Sequence, residues 1–410
     1  MNQKLFAPPK YKETFLKTFI SLRNRNYRLF TIGQTISNTG NWLTKIALTL
    51  LVLKITESGL SVGIVSALQY GPILFLSLWA GSIADKFDKR RLLIWTQSLE
   101  MVQSVGLAVL AFMPHPPLFG LYALAFVGGI VLSLDNPLRL SFLSEMVPKH
   151  DIPNAVVLYS TNVNLSRILG PAIAGLLIIT VGFGWCFTFD AISYIAVLIC
   201  LMMMRPSELY RKSEITKTKG RVGEGIKYIF SMPLLAINFG MLAFIGTIAY
   251  NFTTTFPLFV TRGLHGTIGN FTLLYSVFSV GAVISALVVA RRGLVKMNHI
   301  IFGATMLGIS MLMLALSPSV LVAIPIIFLV GASSILYMTA TTTMIQVESK
   351  QEMHGRLMAL QGIFLTGSGA VGGPLSGWLA DAMGARMPII LGGAVCLLAA
   401  IFSYLASKRF

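Results

Sequence analysis

Apolar residues in this chain run in long blocks, and polar residues collect in the gaps between them. A helix needs about 20 apolar residues to cross a bilayer. Blocks of that length lie at 29–53, 60–82, 92–113, 118–146, 155–180, 184–204, 234–260, 268–290, 297–316, 320–346, 357–381 and 386–406, which predicts an all-α integral membrane protein with twelve transmembrane helices, spans 1 to 12. The one long polar stretch, 205–227, bisects the chain. The expected organisation is a cytoplasmic tail (1–28), a six-helix bundle (29–204), a cytoplasmic linker (205–233) and a second six-helix bundle with a short tail (234–410). Residues 222–231 of the linker read as a short interfacial helix.

Charge refines this picture. Charged residues are 11% of the chain, against roughly 25% in a soluble domain. The net charge is +17, a value that in other settings suggests nucleic acid, but here the distribution excludes that partner. The two tails, the linker and the loops after spans 2, 4, 8 and 10 hold 26 of the 32 Lys and Arg residues; the alternate loops hold only Lys54, Arg262 and Arg386. Positive charge stays on the cytoplasmic side, so both termini are expected there, and the number of crossings is even. The basic surface then serves topology and anionic lipid headgroups. Cys186, Cys200 and Cys396 lie in apolar stretches without metal spacing, and no cleavable signal peptide precedes span 1. Gly367-Ser-Gly369-Ala-Val-Gly372 matches a dinucleotide pattern but sits inside a span with no preceding strand. No phosphate-binding loop or His-Glu-x-x-His occurs, and the five histidines sit at loops or span ends. No metal, cofactor or enzymatic activity is expected.

Polar residues inside the spans are few and patterned. On span 1, Gln34, Asn38, Asn41 and Lys45 are spaced 4, 3 and 4, so they share one face, flanked by Trp42. Such a stripe faces protein or water, not lipid. On span 5, Ser160, Asn164, Arg167 and Pro171 share a face, and Ser166, Gly170 and Ala174 form a ridge of small residues that permits close helix approach. Gly369, Gly373 and Gly377 do the same on span 11. Shifting the chain by 203 positions sets Glu145 on Glu348, Gly170 on Gly373 and Pro171 on Pro374, a faint internal duplication. Six ionisable residues lie within spans, all in the first half: Lys45, Glu100, Asp135, Arg139, Arg167 and Asp190. Buried charges of this kind pair with one another or carry function. Asp135 and Arg139 stand at i,i+4, with Pro137 loosening the helix between them.

The loop after span 2, Gly81-Ser-Ile-Ala-Asp85-Lys-Phe-Asp88-Lys89-Arg90-Arg91, resembles the signature loop of the major facilitator superfamily, with Asp88 in place of its second glycine. Arg167-Ile-Leu-Gly170-Pro171-Ala-Ile-Ala-Gly175 resembles the Gly-Pro motif of that family's antiporters. With Asp135-Asn-Pro137-Leu-Arg139, His354-Gly355-Arg356 and Gly373-Pro374-Leu-Ser-Gly377, the chain is similar along nearly its whole length to the macrolide-efflux and enterobactin-exporter branch of drug:proton antiporters. The resemblance implies two pseudo-symmetric six-helix bundles that rock about a central cavity lined by spans 1, 4, 7 and 10, working as a monomer. It implies a cytoplasmic latch formed by Gly81, Asp85, Lys89 and Arg90.

On that footing the span 1 face, with Trp42 and Asn164, is a candidate substrate surface. The second half adds Asn251 and Thr255 of span 7, Ser334, Tyr337 and Thr341 of span 10, and adaptable methionines (Met306, Met311, Met313, Met338, Met344). Asp135 is the leading candidate proton carrier, with Arg139 or Arg167 modulating it, Glu100 as its rival, and Asp190 and Lys45 as further members. Many proton-driven exporters of the superfamily have an acid in span 1, where this chain has Asn41 and Lys45. Gly170, Pro171, Gly175, Gly373, Pro374 and Gly377 read as packing residues that form a sliding surface between halves. The reading is export of a small amphipathic molecule, siderophore- or drug-like, in exchange for protons. Proton-coupled import, a transporter-like sensor and a lipid-handling protein stand as alternatives.

Overall fold

The computed structural model describes residues 19–210, 222–292, 297–350 and 353–408; the side chains of 77–86, 222 and 290–292 are not part of the description. Span 1 is Arg25–Thr56, span 2 Gly59–Lys86, span 3 Lys89–Ala111, span 4 Leu118–Met146, span 5 Ile152–Thr180 and span 6 Phe183–Met202. A linker helix occupies Val222–Ser231, where the sequence places one. In the second half span 8 is Ile268–Arg292, span 9 Met297–Leu316, span 10 Val320–Glu348 and span 12 Met387–Ser407.

Spans 7 and 11 are interrupted. Span 7 runs Pro233–Ile248, breaks at 249–251, resumes at Phe252–Leu258 and ends in a π-helical turn, Phe259–Gly263. Span 11 runs His354–Gly362, passes through a π-helical turn at Ile363–Gly367 and continues as Gly369–Met383. Such irregular backbone in a membrane is tolerated where it is buried in protein or lines a cavity. Among the described residues ten helices are long and apolar enough to cross a membrane. The other two helical segments at expected crossings are span 1, diluted by its polar stripe, and span 11, diluted by its glycines. Large apolar side chains stand exposed around the outside, as Phe119 (83%) and Leu321 (78%) do, where lipid replaces water.

Packing within the two halves is parallel. Spans 1–6, 2–4, 3–6, 3–4 and 1–5 contact one another, and spans 7–12, 8–10, 9–12, 9–10 and 7–11 repeat the set. The repeat reaches single residues. Gly182, between spans 5 and 6, has φ +96°, and Gly384, between spans 11 and 12, has φ +97°. Both turns need the left-handed backbone that glycine adopts without steric cost.

The halves meet along spans 2 and 11 and along spans 5 and 8. A β-carbon on Gly63 would stand 2.4 Å from the Gly373 carbonyl oxygen, and one on Gly377 would stand 2.0 Å from that of Gly59. Gly175 meets Thr272 of span 8 equally closely. Gly170 differs from the expected sliding surface: it packs on Trp42 of span 1, inside the first half. At the end assigned to the exterior by charge sorting, Asp381 of span 11 accepts from Ser58 Oγ (3.0 Å) and from the backbone N–H groups of Gly59 (2.8 Å) and Leu60 (2.9 Å), and it pairs with Arg262 at 2.6 Å. The carboxylate thus caps the positive N-terminal end of span 2 and ties three spans together.

The hydrophobic core follows the same division. One cluster joins Leu43, Val62 and Val65 of the first half to Phe256, Leu258 and Phe271 of the second, and continues through the second half to Ile300, Met344, Leu357 and Ile229 of the linker helix. A second belongs to the first half alone, with Tyr27, Phe30, Leu93, Phe142, Met146 and Leu201.

Candidate functional site

A cavity of about 680 Å³ lies between the halves. Its first-half wall carries Asn38, Asn41, Trp42 and Lys45 of span 1, with Gln69 and Tyr70 of span 2 and Glu100 and Gln103 of span 3. Asn136 and Arg139 of span 4 and Tyr159 and Arg167 of span 5 complete that wall. The second-half wall is aromatic and uncharged: Tyr250, Asn251, Phe252 and Thr253 at the break in span 7, Tyr275 and Phe278 of span 8, and Ser334 and Met338 of span 10. The break at 249–251 is what turns Asn251 and Tyr250 toward the cavity. A continuous helix there carries no such freed backbone.

Arg139 is the hub of the first half. Its Nε pairs with Asp135 one turn earlier, Nη2 lies 3.5 Å from Glu100, and Nη1 donates to Gln34 and to Asn38 (3.1 Å). Asp135, fully buried, also accepts from Thr96 Oγ1 (2.7 Å) and Gln97 Nε2 (2.9 Å) of span 3. Gln97 Nε2 reaches Glu100 as well, at 3.2 Å. The cluster therefore draws together residues that the sequence set in separate roles, the polar face of span 1 and the acids of spans 3 and 4. Two carboxyl groups share one guanidinium. Glu100 and Arg139 line the cavity, whereas Asp135 lies behind them.

Asp190 is separate from that cluster. It accepts from Thr44 Oγ1 (2.6 Å), Ser104 Oγ (2.7 Å) and Ser193 Oγ (3.4 Å), hydroxyls from spans 1, 3 and 6. Lys45 and Arg167 flank a single ring: Lys45 Nζ is 5.1 Å, and the Arg167 guanidinium carbon 5.6 Å, from the centroid of Trp42.

Other expected residues lie off the wall. Gln34 is buried behind Arg139, and Asn164 donates to the Ser160 carbonyl of its own helix at 2.9 Å. Thr255 is buried, donating to the Asn251 carbonyl at 3.1 Å. Tyr337 and Thr341 are fully buried against spans 9 and 7, because span 10 presents Ser334, Ile335 and Met338 to the cavity instead. Of the five expected methionines only Met338 is on the wall; Met311 and Met344 are core. Residues missed from the sequence are mainly tyrosines: Tyr70, Tyr250 and Tyr275 line the cavity, and Tyr194 donates to Asn41 Oδ1 at 2.8 Å. A phenol within an apolar span was the available signal, since its hydroxyl needs a partner.

At the expected latch, Lys89 pairs with Glu145 of span 4 at 2.5 Å, and Arg90 donates to the carbonyls of Leu201 (2.7 Å) and Met202 (3.0 Å) of span 6. Both partners belong to the first half. Gly81 and the Asp85 side chain lie outside what the structure describes. Asp88, where the signature has glycine, has φ −61° and caps span 3 by accepting from Arg91 N at 3.0 Å. Aspartate suits that role, and no left-handed backbone is needed there.

A family profile described as transmembrane secretion effector matches residues 16–409. The staphyloferrin A transporter of Staphylococcus aureus is 30% identical over 284 residues, 66% of this chain and 70% of its own length. The enterobactin exporter EntS of Shigella flexneri is 24% identical over 371 residues, 87% of this chain and 85% of its own. Among solved structures, a bacterial homologue of the lysosomal transporter Spinster, in an inward-facing and unoccupied conformation, superposes with a TM-score of 0.74 at 15% identity, covering 95% of this chain and 97% of that one. The POT family transporter PepTSo gives 0.75 at 12% identity, covering 94% and 98%.

Proposed function

Because the chain belongs to the transmembrane secretion effector family of major facilitator transporters, related to siderophore transporters and exporters, we propose that it exports a siderophore-like amphipathic molecule from the cytoplasm in exchange for protons. It is a membrane transporter, not an enzyme. In this reading 29–204 and 234–410 are the two moving bundles of one monomer, joined by 205–233, with both termini in the cytoplasm of a bacterial inner membrane.

The observation that carries the proposal is the cavity between the halves, polar and ionic on one wall and aromatic on the other, with the Asp135–Arg139–Glu100 cluster, two carboxyl groups on one guanidinium, opening onto it. The cross-half contacts, Gly59–Gly377 and Asp381 with Ser58, Gly59 and Leu60, support an exterior-closed conformation, loaded from the cytoplasm. On exterior opening, Asp135 or Glu100 takes a proton as Arg139 shifts between its acceptors. On return, the proton leaves to the cytoplasm. Gly81, Asp85, Lys89 and Arg90 form the cytoplasmic latch in the opposite state.

Tracer flux tests direction. Labelled staphyloferrin A, enterobactin or a macrolide is expected to accumulate in everted vesicles with an acidified lumen, at rates well above vesicles lacking the protein. Accumulation confined to right-side-out vesicles energised with acid outside replaces export with proton-coupled import. No movement of any compound in either orientation counts against a transport role for these molecules.

A further inference from the structure

Resting on the export reading, we infer that Lys45 and Arg167 form an anion clamp around Trp42, and that the transported molecule is a carboxylate-bearing anion whose acidic groups sit there.

Three cations line the cavity, Lys45, Arg139 and Arg167, against one acid, Glu100. Arg139 is spent on Asp135 and Glu100. Among the described residues Lys45 and Arg167 have no acidic partner, and Asp190 is satisfied by three hydroxyls instead. What faces the two cations is the ring of Trp42, within the roughly 6 Å over which an aromatic face attracts a cation. Lys45 also lies 5.8 Å from the ring of Tyr70. Ring faces hold a cation more weakly than a carboxylate does, so they place the two charges without consuming them. An uncompensated cation deep in a membrane protein is expensive, and an incoming anion offsets that cost. The opposite wall is uncharged, and Trp42 already leans on Tyr275 across the seam at 6.1 Å. A ligand is thus oriented with acidic groups toward spans 1 and 5 and its apolar part on Tyr275 and Phe278.

Fluorescence titration of the purified full-length protein in lipid nanodiscs, with no gradient present, tests this. The probe is a tricarboxylate bearing one aromatic group, compared with its trimethyl ester. The acid is expected to change tryptophan emission saturably, a signal lost in Trp42→Phe, while the ester neither binds nor competes. Lys45→Met and Arg167→Met should each weaken binding about tenfold or more, the loss typical of a charge-assisted hydrogen bond, with Lys45→Arg retaining most of it. Binding by wild type should weaken with added salt. Equal binding of acid and ester, or no binding of the acid, overturns the clamp without reference to any variant's folding. Intact, charge-dependent binding with no vesicle transport would instead leave the clamp standing and overturn the export reading.

Discussion

Arg139→Leu is expected to abolish transport and to lower stability by about 3–5 kcal/mol, the cost of leaving buried charges unpaired. The guanidinium is the sole cation within ion-pair distance of Asp135 and Glu100 among the described residues, and it also donates to the side-chain oxygens of Gln34 and Asn38. Removing it strands two carboxylates between spans 1, 3 and 4. Replacing all three charges together, as Asp135→Leu, Glu100→Leu and Arg139→Met, removes the unpaired groups as well and should restore most of the thermal stability, because buried ion pairs contribute little net stability over well-packed apolar groups. Transport should stay absent. Thermal unfolding of the solubilised protein and tracer flux separate the two effects. Full transport by Arg139→Leu would remove the cluster from the mechanism.

Gly377→Leu is expected to stop transport by a different route, with the first-half cavity wall intact. A β-carbon at that position already lies 2.0 Å from the Gly59 carbonyl oxygen and 2.5 Å from its carbon. Backbone cannot retreat as a flexible side chain can, so the seam between spans 2 and 11 cannot close. The Asp381 bonds to Gly59 and Leu60 one turn further out are then lost as well. Spin labels at Thr56 and Thr267, in a background with Cys186, Cys200 and Cys396 replaced by serine, should report a longer distance across the exterior end than in the unsubstituted protein. Gly240→Ala serves as the control, since a β-carbon there meets nothing within 4 Å. An unchanged distance with normal flux would mean the seam does not have to close.

Much of this was legible from the residues, and the exceptions have physical causes. Apolar block length located the helices because a bilayer imposes a fixed thickness. The i,i+4 spacing of Asp135 and Arg139 anticipated their pair, and the polar face of span 1 anticipated a wall. In span 7 Asn251 lines the cavity as expected and Thr255 does not, since the helix is not continuous there. The break at 249–251 hides Thr255 and presents Tyr250, and no proline or glycine lies within it to announce it. Span 10 was continuous but its facing was set by spans 8 and 9, so Tyr337 and Thr341 went inward and Ser334 and Met338 outward to the cavity. Gly170 carries the same motif as Gly373 yet packs within its half, since it faces Trp42 and Thr39 of span 1 whereas Gly373 faces Ser66 and Gly63 of span 2 across the seam.

The exchange of protons for an exported molecule is tested most directly by lumenal pH in everted vesicles with an acidified lumen. Adding a compound already found to accumulate should make the lumen more alkaline in wild-type vesicles, and Asp135→Asn should abolish that response. Accumulation of the same compound with no change in lumenal pH would contradict proton exchange and require another driving ion.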